Sequence, residues 1–371
     1  MELPRISIVT PSFNQGLFLE ECIDSVLSQG YPNLEYIIMD GGSKDNSLEI
    51  IKKYEKYLAY WQSEPDGGQY KAINEGFKRT SGEIMAWLNS DDKYHPAVFF
   101  KIAYIFSEYK KIEWITGRPT VFDRDSNISL IFDYLPVFSR EKYLKEGYDK
   151  PHVQQESTFW RRSLWDKAGS MVCADMEFAG DMELWVRFFR HAQLFSVDTV
   201  LGGYRYHGNQ KAILHPDRYS MEADTVLSTE KELLDKGEYV GMLPAATPIV
   251  LDHNELIEYL HNFDGNGSKY IPECIASFGM DRAIKYYSEK LVNLKQDNIG
   301  AIIRAEYTAN ADEEDCDRSI EILKAEIEDL GRRISAQNEC LQRIYSSKSW
   351  NITKPLRFMG KIFRRACRIT K

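Results

Sequence analysis

Ile84-Met85-Ala86-Trp87-Leu88-Asn89-Ser90-Asp91-Asp92 is a short apolar run that stops at two adjacent carboxylates. It has the length of a buried strand, and its polar end is where such a strand delivers the chain to the mouth of a cleft. Magnesium and manganese are hard ions that take oxygen ligands, often one or two protein carboxylates with substrate phosphates completing the shell. Asp91 and Asp92 are therefore candidate metal ligands. Taken alone, the segment also reads as a solvated turn with two acids, so its neighbours decide.

Upstream, strand and helix patterns alternate. Ile6–Thr10 is a β-branched run closed by Pro11, and Leu19, Cys22, Ile23, Val26 and Leu27 recur at helical spacing within 17–28. Tyr36–Met39 reads as a second strand ending at Asp40-Gly41-Gly42, with Ser43 placed to cap the helix that carries Leu48, Ile51 and Tyr54. A short third strand near Tyr60–Gln62 leads to Glu64-Pro65-Asp66-Gly67-Gly68, and a helix with Ala72, Ile73 and Phe77 follows. This alternation predicts an α/β fold, a Rossmann-like, mostly parallel sheet flanked by helices. Ligands of such sheets bind beyond the carboxyl ends of the strands. Four polar clusters fall there: Pro11-Ser12-Phe13-Asn14, Asp40-Gly41-Gly42, Asp66-Gly67-Gly68-Gln69 and Asn89-Ser90-Asp91-Asp92.

The bulk numbers fit a chain of more than one unit. There are 371 residues, 43% hydrophobic and 28% charged, which is ordinary for a globular protein. Apolar stretches stay too short to cross a bilayer, and Met1-Glu2-Leu3-Pro4-Arg5 runs straight into a strand, which predicts no secretion signal. Cys22, Cys173, Cys274, Cys316, Cys340 and Cys367 lack metal or disulfide spacing, which points to a reducing compartment. The net charge of −9 is uneven: residues 346–371 carry eight Lys or Arg and no acid, leaving 39 basic against 56 acidic groups elsewhere. A body with that balance offers nucleic acid no general basic field.

The expected organisation is a catalytic domain over 1–215, a helical region over 216–318, a candidate coiled coil over 319–345 and a basic tail over 346–371. Ile320, Leu323, Ile327, Leu330, Ile334, Leu341 and Ile344 keep 3/4 spacing with only Gln337 interrupting, which suits a coiled coil or an amphipathic helix packed on its own domain. In 355–370, Leu356, Met359, Ile362, Phe363, Ala366, Cys367 and Ile369 fall on one face of a helix opened by Pro355. Arg357, Lys361, Arg364, Arg365 and Arg368 fall on the other. That is the pattern of a helix lying on an anionic membrane surface.

The four strand-end clusters, in this order and spacing, resemble glycosyltransferase family 2, the inverting nucleotide-sugar transferases of GT-A fold. The resemblance runs over roughly 5–210 and continues through Gly82-Glu83-Ile84 and Gly180-Asp181-Met182-Glu183-Leu184-Trp185. It implies that Asp40 accepts a hydrogen bond from the nucleobase and that Thr10, Pro11 and Asn14 line the same pocket. It also implies that Gly67 and Gly68 let the backbone approach a ribose or diphosphate, helped by Gln69, Lys71 and Asn74. Asn89-Ser90-Asp91 stands where the family has Asp-x-Asp; Asn89 replaces the first acid, at the ribose, and the metal falls to Asp91 with Asp92 as second ligand or support. Asp181 is implied as the catalytic base, with Glu183 as the alternative, although Gly180 replaces the family's first acid there. His207 is a candidate partner of the metal or diphosphate, and Trp160 and Trp185 are candidates for stacking on sugars or for the core.

Two other nucleotide folds are set aside. The turn after the first strand reads Pro-Ser-Phe-Asn-Gln-Gly rather than Gly-x-Gly-x-x-Gly, and no Gly-x4-Gly-Lys-Ser/Thr occurs. The expectation is an inverting, Mn²⁺- or Mg²⁺-dependent transferase at the inner face of the cytoplasmic membrane. It would use a nucleotide-diphosphate sugar and a saccharide acceptor, lipid-linked as in surface polysaccharide assembly, with a homo-oligomer formed through 320–344. A non-catalytic transferase-like scaffold that oligomerises at the membrane is the competing reading.

Overall fold

The apolar runs of the first ninety residues become a sheet. The computed structural model describes residues 3–259, apart from 133, 147–152, 239–242, 252–254, 257 and 258. In chain order the strands are β1 (Ile6–Ser12), β2 (Leu34–Asp40), β3 (Tyr60–Ser63), β4 (Ile84–Trp87), β5 (Lys93–Tyr94), β6 (Trp114–Arg118), β7 (Thr120–Phe122), β8 (Ile128–Ile131), β9 (Thr158–Arg161), β10 (Leu194–Val200) and β11 (Gly202–Arg205). The helices are α1 (Leu19–Leu27), α2 (Ser47–Tyr54), α3 (Gln69–Phe77), α4 (Val98–Glu108), α5 (Arg140–Glu146), α6 (Arg162–Lys167), α7 (Gly180–Phe189), α8 (Lys211–Leu214) and α9 (Pro216–Asp235).

The main sheet has the order β10-β6-β9-β4-β1-β2-β3. β3, β2, β1 and β4 are parallel, β9 runs antiparallel between β4 and β6, and β10 pairs parallel with β6. β1 is buried along its whole length, because helices cover both faces of a parallel sheet. A smaller sheet, β5-β11-β7-β8, stands beside the end of β4. The α/β class is as expected, with a mixed rather than wholly parallel main sheet.

Register decides where the polar ends arrive. Ser12 pairs with Asp40 and Asp40 with Ser63, so the ends of β1, β2 and β3 form one row. Leu88 donates its amide to the Val9 carbonyl (3.0 Å), which brings the chain after β4 to the same edge. The expected cap at Ser43 does not form: α2 begins at Ser47. Ser43 is held by Asp40 instead, and Asp45 Oδ1 accepts the Ser47 amide (3.0 Å).

The core beneath the site is aromatic. Trp87 and Trp185 stack at 5.9 Å, Trp114 and Trp185 at 5.7 Å, and Trp160 meets Trp87 edge-on at 5.6 Å. Trp160 and Trp185 are fully buried there, so they join the core and do not serve as sugar platforms. Burying a large apolar side chain stabilises a fold by about 1.5–3 kcal/mol, and this cluster ties β4, β6, β9 and α7 together. α9 packs on α5 and α7, so the described part of the region expected to follow residue 215 lies against the sheet domain. The candidate coiled coil and the basic tail fall outside the described residues.

Candidate active site

Asp40 is buried at the end of β2, and its carboxylate is already engaged. It accepts from the Gly42 and Ser43 amides (3.2 and 2.9 Å) and from the Ser43 and Ser63 hydroxyls (2.5 and 2.6 Å). It is a brace for the loop, and Gly41 rather than Asp40 forms the neighbouring cleft wall. Thr10 is also beneath the wall, hydrogen-bonded to the Tyr36 phenol (3.0 Å), whereas Pro11 lines the cleft. Asn14 sits at φ 52°, a left-handed conformation that asparagine tolerates. It fastens two loops, accepting the Lys44 amide (2.8 Å) and giving its own amide to Ser43 (2.7 Å). Asn74 is spent on a reciprocal pair with the Val172 backbone (2.8 Å each way).

The cleft itself holds about 560 Å³, the size of small-molecule sites. On one side stand Pro11, Phe13, Gly41 and the turn Asp66-Gly67-Gly68. Asp66 accepts the Gly68 amide (2.8 Å), and Gly67 and Gly68 take φ values of 76° and 125°, where a side chain would strain the backbone. A Cβ on Gly68 would meet nothing within 4 Å, so the backbone there faces open space. Gln69 donates to Asn89 (2.7 Å), and Asn89 donates to Asp92 (3.1 Å) and Gln155 (3.3 Å). These amides, with Ser90, make the floor.

Asp91 and Asp92 point differently. Asp91 lines the cleft and pairs with His207, Nε2 to Oδ2 3.1 Å. The His207 ring rests on Phe18, and its Nδ1 accepts the Asn209 amide (3.4 Å). In that arrangement the Nε2 proton faces Asp91. Asp92 turns inward, accepting the Arg205 amide (2.8 Å) and pairing with Glu156. Burial pushes the Asp92 carboxyl well up, reinforced by the charge of Glu156, and burial pushes Glu156 up to about 7. Among the described residues no three His, Cys, Asp or Glu side chains gather as metal ligands. Asp91, with His207 beside it, fits a hard cation whose remaining positions go to phosphate and water, while Asp92 braces the turn.

Asp181 enters from the other half of the domain. It lies in the first turn of α7, lines the cleft, and accepts the Met182 amide (2.8 Å). Burial raises its carboxyl to about 6. Gly180 is required by packing: a Cβ there would lie 2.6 Å from the Tyr70 ring, and the Tyr70 phenol accepts the Gly180 amide (3.0 Å). Glu183 is committed to Arg187 through two contacts (2.7 and 2.6 Å) and lies outside the lining. Between the two, Asp181 is the acid the structure brings to the cleft.

Sequence reasoning missed Phe13, Tyr70, Glu156 and Arg205. Phe13 is 60% exposed at the rim. Arg205 is buried, donates to the Asp91 carbonyl (2.7 Å) and Glu21 (2.8 Å), and lies over the Phe18 ring. Glu156 lies four residues before Trp160, which was singled out in its place. Lone acids, arginines and aromatics carry no local pattern, so only three-dimensional convergence reveals them.

The family model described as Glycosyl transferase family 2 matches residues 7–168. An uncharacterized glycosyltransferase of Mycobacterium tuberculosis is 33% identical over 183 residues, covering 47% of this chain and 67% of that protein. Another, of Rickettsia typhi, is 29% identical over 217 residues, 56% of this chain and 65% of its own. The crystal structure of S. aureus TarS 1-349 in complex with UDP aligns with TM-score 0.49 at 17% identity, covering 69% of this chain and 70% of that one.

Proposed function

The chain is a member of glycosyltransferase family 2, and on that premise we propose that the cleft binds a nucleotide-diphosphate sugar and transfers its sugar with inversion to an acceptor hydroxyl. The observation that carries the reading is that Asp91, Asp181 and the Asp66-Gly67-Gly68 turn, far apart in sequence, line one cleft of about 560 Å³. Phe13 offers an exposed ring face to the nucleobase beside Pro11 and Gly41. Gln69, Asn89 and Ser90 supply neutral hydrogen bonds toward the ribose, and Gly68 lets the diphosphate approach the backbone. Asp91 would hold Mn²⁺ or Mg²⁺, with His207 orienting its carboxylate. When bound, the cation supplies Lewis-acid neutralisation of the diphosphate. The Asp181 carboxylate takes the proton of the acceptor hydroxyl. That oxygen bonds to the anomeric carbon as the bond from this carbon to the diphosphate oxygen breaks, the electron pair leaving with the nucleoside diphosphate.

A cation would offset the charge of an anionic donor here, since Asp66, Asp91, Glu177 and Asp181 line the cleft against Lys211. Thermal-shift measurements against UDP-, GDP- and dTDP-sugars test this. One donor should raise Tm with Mn²⁺ present, as about 2.7 kcal/mol of linkage is expected at a hundred times Kd. EDTA or Asp91→Asn should abolish the shift. If no nucleotide sugar at millimolar concentration moves Tm with Mn²⁺ present, the donor reading is wrong. The acceptor is proposed to be a lipid-linked saccharide reached from the inner membrane surface, through the basic pattern of 346–371 and, as a homo-oligomer, through 320–344. Among the described residues no helix is long and apolar enough to cross a membrane.

A further inference from the structure

The start of α7 has no side-chain cap of its own, since Ala179 stands at the N-cap. A helix N-terminus leaves amides without intrahelical partners, and carboxylates satisfy them well. Here the carboxylate comes from another helix. Glu222 of α9 accepts the amides of Glu177 (3.0 Å), Phe178 (2.8 Å) and Ala179 (2.9 Å). Four residues earlier, Arg218 pairs with the Glu177 carboxylate (2.5 Å) and lies over the Phe178 ring at 4.8 Å. Glu177 and Phe178 line the cleft and lead directly into Asp181.

The grip is repeated at the far end of α7. Glu230, buried on α9, accepts from Arg190 (2.5 Å) and also pairs with Arg140 of α5. Glu222, Ala223, Val226, Leu227 and Glu230 share one face of α9, with the apolar members buried between the two acids. The eight steps from Glu222 to Glu230 span about 12 Å of helix, comparable to the ten-residue α7. α9 therefore lies along α7 in the same direction, held at both ends.

We propose that Glu222 is a positioning residue: by binding three successive amides it fixes the segment 177–179, and so sets the first turn of α7 that aims Asp181 at the acceptor hydroxyl. The inference rests on Asp181 being the base. A carboxylate held by a rigid shell loses rate steeply when its support is removed. The effect falls on the chemical step, because the amides that Glu222 binds lead into Asp181 and not into the Gly-rich turn or Asp91.

The test uses the full chain with the nucleotide sugar that shifts Tm in the panel, following release of nucleoside diphosphate with water as acceptor, well below the melting temperature. Glu222→Ala should lower kcat at least tenfold with the donor KM within twofold, and Glu222→Gln should recover most of the rate, because its amide oxygen can still accept. Hydrogen exchange of 177–183 should rise in Glu222→Ala. The double variant Glu222→Ala/Asp181→Asn should be no slower than Asp181→Asn alone, since both act on one group. Wild-type kcat in Glu222→Ala while Asp181→Asn is impaired would overturn this inference alone, as would fully additive losses. Full rate in Asp181→Asn would overturn the base assignment and this inference with it.

Discussion

At the scale of single residues, the burial of Asp181 carries a cost that can be measured. Burial raises its carboxyl from an ordinary aspartate to about 6. An acid whose pKa is higher folded than unfolded binds protons more tightly in the native state. Stability therefore falls as pH rises from about 4 to about 6, and the charged form is held at a penalty above that window. At 1.36 kcal/mol per pKa unit, reduced for partial exposure, the penalty is roughly 1–3 kcal/mol. Asp181→Asn should thus raise Tm by several degrees at pH 7.5, and the gain should vanish near pH 4. The same protonation governs rate. In the wild type kcat/KM should climb tenfold per pH unit below about 6 and level off above it. A flat profile between pH 5 and 7 would remove Asp181 from the proton transfer. Asp91 was singled out by its place at the end of an apolar run and Asp181 through the family resemblance, and both line the cleft. Asp40 was read less well: an acid followed by Gly41-Gly42-Ser43 looks the same whether its oxygens are free for a ligand or, as here, taken by four local donors.

At the scale of elements, β1, β2, β4 and α1 were readable from β-branched runs and helical spacing, because each buries one coherent face. β5, β7, β8 and β11 have two to four residues each, too few for any period to register. The antiparallel insertion of β9 depends on distant partners, which local pattern does not encode. Ser43, the expected cap, does not serve because Asp40 claims it, and α2 opens at Ser47. The tight joint between β10 and β11 gives the element-scale prediction. A Cβ on Gly202 would lie 2.0 Å from the Glu156 carbonyl oxygen, a backbone atom that has little room to yield. Gly202→Ala should destabilise the fold by about 1–3 kcal/mol, lowering Tm by roughly 3–10 °C. It should also weaken donor binding, because Glu156 lines the cleft. Unaltered Tm and donor affinity would show that β11 and the backbone at Glu156 are free to part there.

At the scale of the whole chain, charge is divided. The residues before 346 carry 39 basic and 56 acidic groups, while 346–371 carry eight basic groups and no acid. An acidic body is repelled by an anionic membrane, so any attraction has to come from the terminal segment. Each Lys or Arg near such a surface is worth about 1 kcal/mol, and Arg357, Lys361, Arg364, Arg365 and Arg368 fall opposite the apolar side of the pattern. Together these predict a partition coefficient on the order of a thousandfold higher for the full chain than for one truncated after residue 345. The measurement is co-sedimentation with phosphatidylglycerol-containing vesicles against neutral phosphatidylcholine vesicles. Binding of the full chain should weaken as salt is raised from 0.1 M to 0.5 M, since screening shortens the reach of surface charge well below the ~10 Å of the lower salt. An apolar contribution from Leu356, Met359, Ile362 and Phe363 should leave a residue of binding that salt does not remove. If the truncated chain sediments with anionic vesicles as well as the full one, the acceptor reaches the cleft by some route other than a tail resting on the membrane.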